Sequence, residues 1–131
     1  MLVAYDPPQS YVAQVTTPQP TTPQAASKQA TGGDCEQEIA KYNWDYTTAV
    51  EVARAESGLR SDALNNNPAT GDYSVGCMQI NIYGANAQYR PSEQQLKDPA
   101  VNIAYAYKLY TGNGNSFIGQ WGVCEAKVKC Y

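Results

Sequence analysis

Histidine is missing from this 131-residue chain. That absence removes His-based nucleophile triads, imidazole acids and bases, and His-ligated metals from the possible chemistries. Basic runs are missing too: nine Lys and Arg stand against twelve Asp and Glu, for a net charge of −3. No cationic face is available to neutralise a phosphate backbone, so nucleic acid is not an expected partner. Nothing approaches the apolar length needed to span a bilayer. The N-terminus has neither the basic start nor the apolar stretch of a signal peptide, although a leader could have been trimmed or replaced. Cysteine is scarce, and Cys35, Cys77, Cys124 and Cys130 lack the close paired spacing of a zinc site, so no metal or cofactor is expected.

Four cysteines in so short a domain suggest one or two disulfides and an oxidising, extracytoplasmic compartment: secreted, periplasmic or wall-associated. Three full pairings are open. The expectation is Cys35 joined to Cys124 or Cys130, stapling the domain's ends, with Cys77 in an apolar run that also suits a free buried thiol.

Hydrophobic residues make up 43% of the chain, but unevenly. Residues 1–33 are rich in Thr, Pro, Gln and Ala and have no sustained apolar period, so they read as a disordered arm or linker. Residues 34–131 read as one folded domain, expected to be monomeric. In "DCEQEIAKYNW", Asp34 suits a helix N-cap. In "DYTTAVEVARAESG", Asp45 caps a second helix that Gly58 ends, and Ala49, Val52, Ala53 and Glu56 share one face at i, i+3, i+4 and i+7. Ser61 to Asp72 reads as loop, with "NNNP" and "TGD" as turn signals. "DYSVGCMQINI" suits a small hairpin or irregular strand. Asp98 and Pro99 open a third helix whose "AVNIAYAYKLY" is apolar nearly all round and should be buried. A short final helix brings Trp121 back toward the centre. The fold class is α+β, mostly helical, with a small β-hairpin lobe.

Glu56 lies on an apolar stripe, and loss of solvation there raises a carboxyl pKa above the reference of about 4.3. Such a group donates a proton near neutrality, as cleavage of an acetal requires. Asp72, in a polar turn, should stay ionised. The competing reading is a salt bridge from Glu56 to Arg54 or Arg60, the common fate of a charge near a helix end.

"AESGLRSDAL", "GDYSVGCMQIN", "LKDPAVNIAYAYKLY" and a late Trp together resemble the lysozyme-like superfamily, in particular the soluble lytic transglycosylase domains, over roughly Tyr42 to Trp121. "DYSVGCMQIN" is also similar to the animal lysozyme stretch in which Asp-Tyr precedes Gln-Ile-Asn. The resemblance implies a glycosidase acting on the β-1,4 bond between N-acetylmuramic acid and N-acetylglucosamine of peptidoglycan glycan strands, with Glu56 as general acid. Asp72 matches the second carboxylate of the animal enzymes, with Ser74 and Val75 as extra residues before the Gly. Ser57 matches a residue that helps hold the helix end. Gln79 and Asn81 match sugar-facing positions, Met78 matches the cleft floor, and Tyr73, Tyr107 and Trp121 are candidate substrate contacts. The third transglycosylase motif, Ala-Tyr-Asn-Ala-Gly, is replaced here by "FIGQWGVCEAK". The lone Glu with "GCMQIN" leans the resemblance toward an anhydro-forming transglycosylase, with hydrolysis the outcome if Asp72 faces the reaction centre. A noncatalytic glycan-binding or assembly module is the alternative. A small disulfide-stapled inhibitor or toxin would leave the apolar placement of Glu56 without a purpose.

Overall fold

The computed structural model describes residues 32–128 and 130. Five helices and a three-stranded antiparallel sheet make an α+β, mostly helical fold. Helix α1 spans Gly32–Ile39, α2 Tyr46–Ser57, α3 Glu93–Leu96, α4 Pro99–Gly112 and α5 Val123–Ala126. The strands are β1 Leu64–Asn67, β2 Asp72–Val75 and β3 Ile80–Asn81, in the order β1-β2-β3. The expected arm lies outside the described residues, apart from its last two positions, where Gly32 and Gly33 already belong to α1.

Helix α2 follows its sequence signals closely. The Asp45 carboxylate accepts from the Thr48 N–H, and Gly58 ends the helix in the left-handed region at φ 66° with its N–H bonded to Arg54 O. Ala49, Val52 and Ala53 are buried on the expected face, and Val50 beside them is buried too. Asp98 caps α4, accepting from the Ala100 N–H. Asp34, by contrast, sits within the first turn of α1 rather than at its cap, where an acid still complements the helix dipole.

Three expectations are corrected. Asn65, Asn66 and Asn67 form strand β1 rather than loop, because Leu64–Asn67 pairs in register with Val75–Asp72. Ladder hydrogen bonds from a partner outweigh the turn preference of Asn. Helix α4 buries one narrow stripe, Asn102, Ile103 and Ala106, while Ala104 and Lys108 are exposed, so it lies against the core without being enclosed by it. The disulfides join Cys35 to Cys77 and Cys124 to Cys130, with Cα separations of 5.8 and 5.3 Å. Cys35 faces the β2–β3 turn from α1 and Cys130 folds back onto α5, so neither the end-to-end staple nor a free Cys77 occurs.

The β2–β3 turn, residues 76–79, is the structural hub. Cys77 is cross-linked to α1, and its carbonyl accepts from Ser57 Oγ at 2.8 Å. The buried Asn102 side chain accepts from the Met78 N–H at 2.9 Å and donates to Val75 O and Leu96 O. Trp121 Nε1 donates to Met78 O at 2.8 Å. Gly76 is obligatory: at φ 82° a Cβ would come within 2.2 Å of Asn102 Nδ2 and 2.4 Å of Leu96 O. Beneath the turn lie Ile39, Val52, Val75, Met78, Ile80 and Ile103, all essentially without exposed surface. A second cluster rings Trp44, which meets Tyr107, Tyr110 and Phe117 at centroid distances of 5.2–5.5 Å.

Candidate active site

Glu56 occupies the last turn of α2, one residue before the Ser57 hydroxyl that fastens this helix end to the turn. It is partly buried and accepts no hydrogen bond from any described residue. Arg54 pairs with Glu51 instead, at 3.5 Å, and no described cation lies within ion-pair distance of Glu56. The salt-bridge reading of this carboxyl therefore fails. Burial, reinforced by the negative charge of Asp72 and opposed by the positive charge of Lys127, pushes its pKa up to about 7.

Asp72 opens strand β2 and is held from two sides. Asn65 Nδ2 donates to Oδ2 at 2.6 Å across the sheet, and Ser74 Oγ donates to Oδ1. The sheet thus presents a fixed anion whose field reaches an unpartnered, protonatable Glu. The two carboxyl groups stand in unlike settings, Glu56 partly buried with no hydrogen-bond partner among the described residues and Asp72 held by two donors.

A lysozyme-like domain family model matches residues 37–122, from α1 through Trp121. The chain belongs to the lysozyme-like domain family. No curated protein and no solved structure gives a significant match. In this lysozyme-like domain the matched span contains both carboxylates and the whole of the turn that positions them.

The remaining sequence candidates are mostly spent inside the fold. Ser57 is buried, its hydroxyl shared between Ala53 O and Cys77 O, so it holds the helix end and offers nothing outward. Met78 has no exposed surface and is core beneath the site. Trp121 is 4% exposed and acts as a strut through its indole N–H. Asn81 uses its whole amide: Oδ1 accepts from the Tyr73 and Tyr83 N–H groups, and Nδ2 donates to Gly71 O, which fixes the turn before Asp72. Tyr73 donates its hydroxyl to Glu93 Oε1 at 2.5 Å, latching the sheet to α3. Tyr107 belongs to the aromatic cluster around Trp44 and donates to Asn43 O. Gln79, held at φ 49°, donates Nε2 to Ala63 O and Gly76 O and leaves Oε1 without a described partner. Of this group Gln79 alone keeps an unengaged polar atom in its side-chain amide.

Sequence reasoning missed three contributors. Asn65 and Ser74 orient Asp72, and only the strand pairing brings Asn65 to it. Lys127 lies near Glu56 because α5 packs against α2, a tertiary contact with no local signature. Among the described residues no group of three or more acidic or Cys side chains is arranged to hold a metal, and no helix is long and apolar enough to cross a membrane. Two further cavities, one beside Asp45 and Phe117 and one beside Tyr105 and Lys108, include neither Glu56 nor Asp72.

Proposed function

We propose that this domain cleaves the β-1,4 bond between N-acetylmuramic acid and N-acetylglucosamine in peptidoglycan outside the cytoplasm, acting as a hydrolysing muramidase. The observation that carries this reading is Glu56, partly buried and without a hydrogen-bond partner among the described residues, where burial pushes its pKa up to about 7. Glu56 donates its proton to the glycosidic oxygen as the bond to the anomeric carbon breaks. The Asp72 carboxylate stabilises the positive charge that develops on the sugar, and a water then adds to the anomeric carbon and returns its proton to Glu56. A second carboxylate within electrostatic reach of Glu56 supports this two-carboxylate route, whereas the lone-Glu motif leaned toward internal attack by the muramic 6-hydroxyl. The two disulfides fit an oxidising compartment.

The test compares lysis of purified cell walls by wild type and Glu56→Gln, with mass analysis of the soluble fragments. Lysis by wild type alone, releasing fragments with reducing muramic ends, is the expected result. Products one water lighter would move the assignment to an anhydro-forming transglycosylase. Equal lysis by both proteins would remove Glu56 as the acid. Absence of lysis by both would favour a noncatalytic glycan-binding module, which the net charge of −3 also suits, since the domain gains no electrostatic attraction to an anionic wall.

A further inference from the structure

Helix α5 and the residues after it form a short loop closed by the Cys124–Cys130 disulfide, with a sequence separation of 6. Within it the N–H groups of Lys127 and Val128 both donate to Val123 O at 2.8 Å, a tight turn that fixes the Lys127 backbone. The loop rests against the acid-bearing helix, since α5 packs on α2. Lys127 itself is exposed and has no ion-pair partner within 4 Å among the described residues. Its neighbour Glu125 is turned elsewhere, accepting from the Gly119 N–H at 3.3 Å. A cross-linked loop therefore sets a cation with no ion-pair partner among the described residues against the helix that carries Glu56. The Lys127 charge acts on Glu56, the group beside which the scissile bond lies in the proposed reaction.

The proposed substrate carries carboxylates where chitin-type glycans carry none. A muramyl residue bears a lactyl substituent, which ends in a free carboxylate when the glycan is denuded and in a stem peptide with its own carboxylates when it is not. We infer that Lys127 is a specificity-determining residue that pairs with a carboxylate borne on the muramyl substituent, so that the domain prefers acidic, muramyl-containing glycan to neutral chito-oligosaccharide. This inference rests on the muramidase reading for the identity of the glycan but not on turnover. Lys127 adds binding energy from a part of the substrate remote from the bond that breaks.

The experiment measures binding by calorimetry in a Glu56→Gln background, where no ligand is consumed and the attraction between Lys127 and Glu56 is absent. Glu56→Gln, Glu56→Gln/Lys127→Gln and Glu56→Gln/Lys127→Arg are each titrated with stem-bearing glycan tetrasaccharide, denuded glycan tetrasaccharide and chitotetraose. Lys127→Gln is expected to weaken binding of one or both acidic ligands by about fivefold, as for an exposed ion pair, with chitotetraose unchanged and Lys127→Arg restoring most of the loss. A loss with denuded glycan alone assigns the lactyl carboxylate, and a loss with stem-bearing glycan alone assigns the peptide. Equal effects on all three ligands, no effect on either acidic one, or no binding at all would overturn the inference. Wall lysis by the wild type is scored separately: failed lysis with preserved carboxylate discrimination would sink the muramidase reading and leave Lys127 as the selector of a binding module.

Discussion

The cost of keeping Glu56 in its partly buried place is measurable as stability, and Glu56→Gln isolates it. In the unfolded chain this carboxyl titrates at its ordinary 4.5, and in the fold at about 7. Because the folded value is the higher, the fold favours the protonated form. Below pH 4.5 Glu56 is protonated in both states and imposes no electrostatic penalty. Between 4.5 and 7 the unfolded chain ionises first, and stability falls as the pH rises. Above 7 the penalty is complete. The difference of about 2.5 pH units corresponds to at most ~3.4 kcal/mol, and screening by solvent at a carboxyl that is only partly buried reduces this to roughly 2 kcal/mol. Gln keeps the shape and carries no charge. Guanidinium unfolding of both proteins should find them within about 0.5 kcal/mol of each other at pH 4 and separated by about 2 kcal/mol in favour of Glu56→Gln at pH 8, equivalent to roughly 10 °C in Tm for a domain of this size. Acidic groups remote from Glu56 contribute alike to both proteins and cancel. A stability gap of the same size at both pH values, or none at pH 8, would refute the claim that the fold holds this carboxyl protonated. The same variant should lose wall lysis, so that the group weakening the fold is the one the reaction needs.

Asp72→Asn removes a negative charge that holds the Glu56 proton, so the alkaline limb of the pH dependence of kcat/KM should move to lower pH than wild type's, near 7. A limb that stays in place would show that the two carboxylates do not sense each other. Gly76→Ala forces a Cβ into the Asn102 amide and Leu96 carbonyl at positive φ and should cost at least 3 kcal/mol or prevent folding, read by circular dichroism and urea melts. By loop length, replacing Cys35 and Cys77 together with Ser should cost about 4 kcal/mol, against about 2 kcal/mol for Cys124 and Cys130. Peptide mapping under non-reducing conditions checks the two pairings directly.

Much of the helical frame is readable in the sequence because it is encoded locally. Asp45, Gly58 and Asp98 act within a turn of their own position, and the apolar stripe ending at Glu56 is a 3.6-residue period that needs no partner to be seen. What the sequence hides are partnerships between distant segments. Asn65 to Asn67 carry turn chemistry, and only the facing strand Asp72–Val75 makes them a ladder. Cys35 finds Cys77 because α1 packs near the β2–β3 turn, a proximity absent from spacing alone. The motif around Gln79 falls on the β2–β3 turn, but residue type does not say which way an amide faces. Asn81, Ser57 and Trp121 have the chemistry to hold sugar, and their hydrogen bonds go to the fold's own carbonyl and amide groups. Asn65, Ser74 and Lys127 gave no sign in isolation, since each matters only through the carboxylate it meets.

The hub at residues 76–79 is gripped almost entirely by its main chain: Ser57 reaches the carbonyl of 77, Asn102 the amide of 78, and Trp121 the carbonyl of 78. A carbonyl or amide is present whatever residue stands there. Drift at Met78 is therefore limited only by the volume its side chain must fill, and a lineage can rewrite that part of the motif while Glu56 keeps its address. Within the hub only Gly76 and Cys77 are tied to their own identity, by the space at a positive φ and by the disulfide, and outside it the distant residues that do the gripping are equally bound.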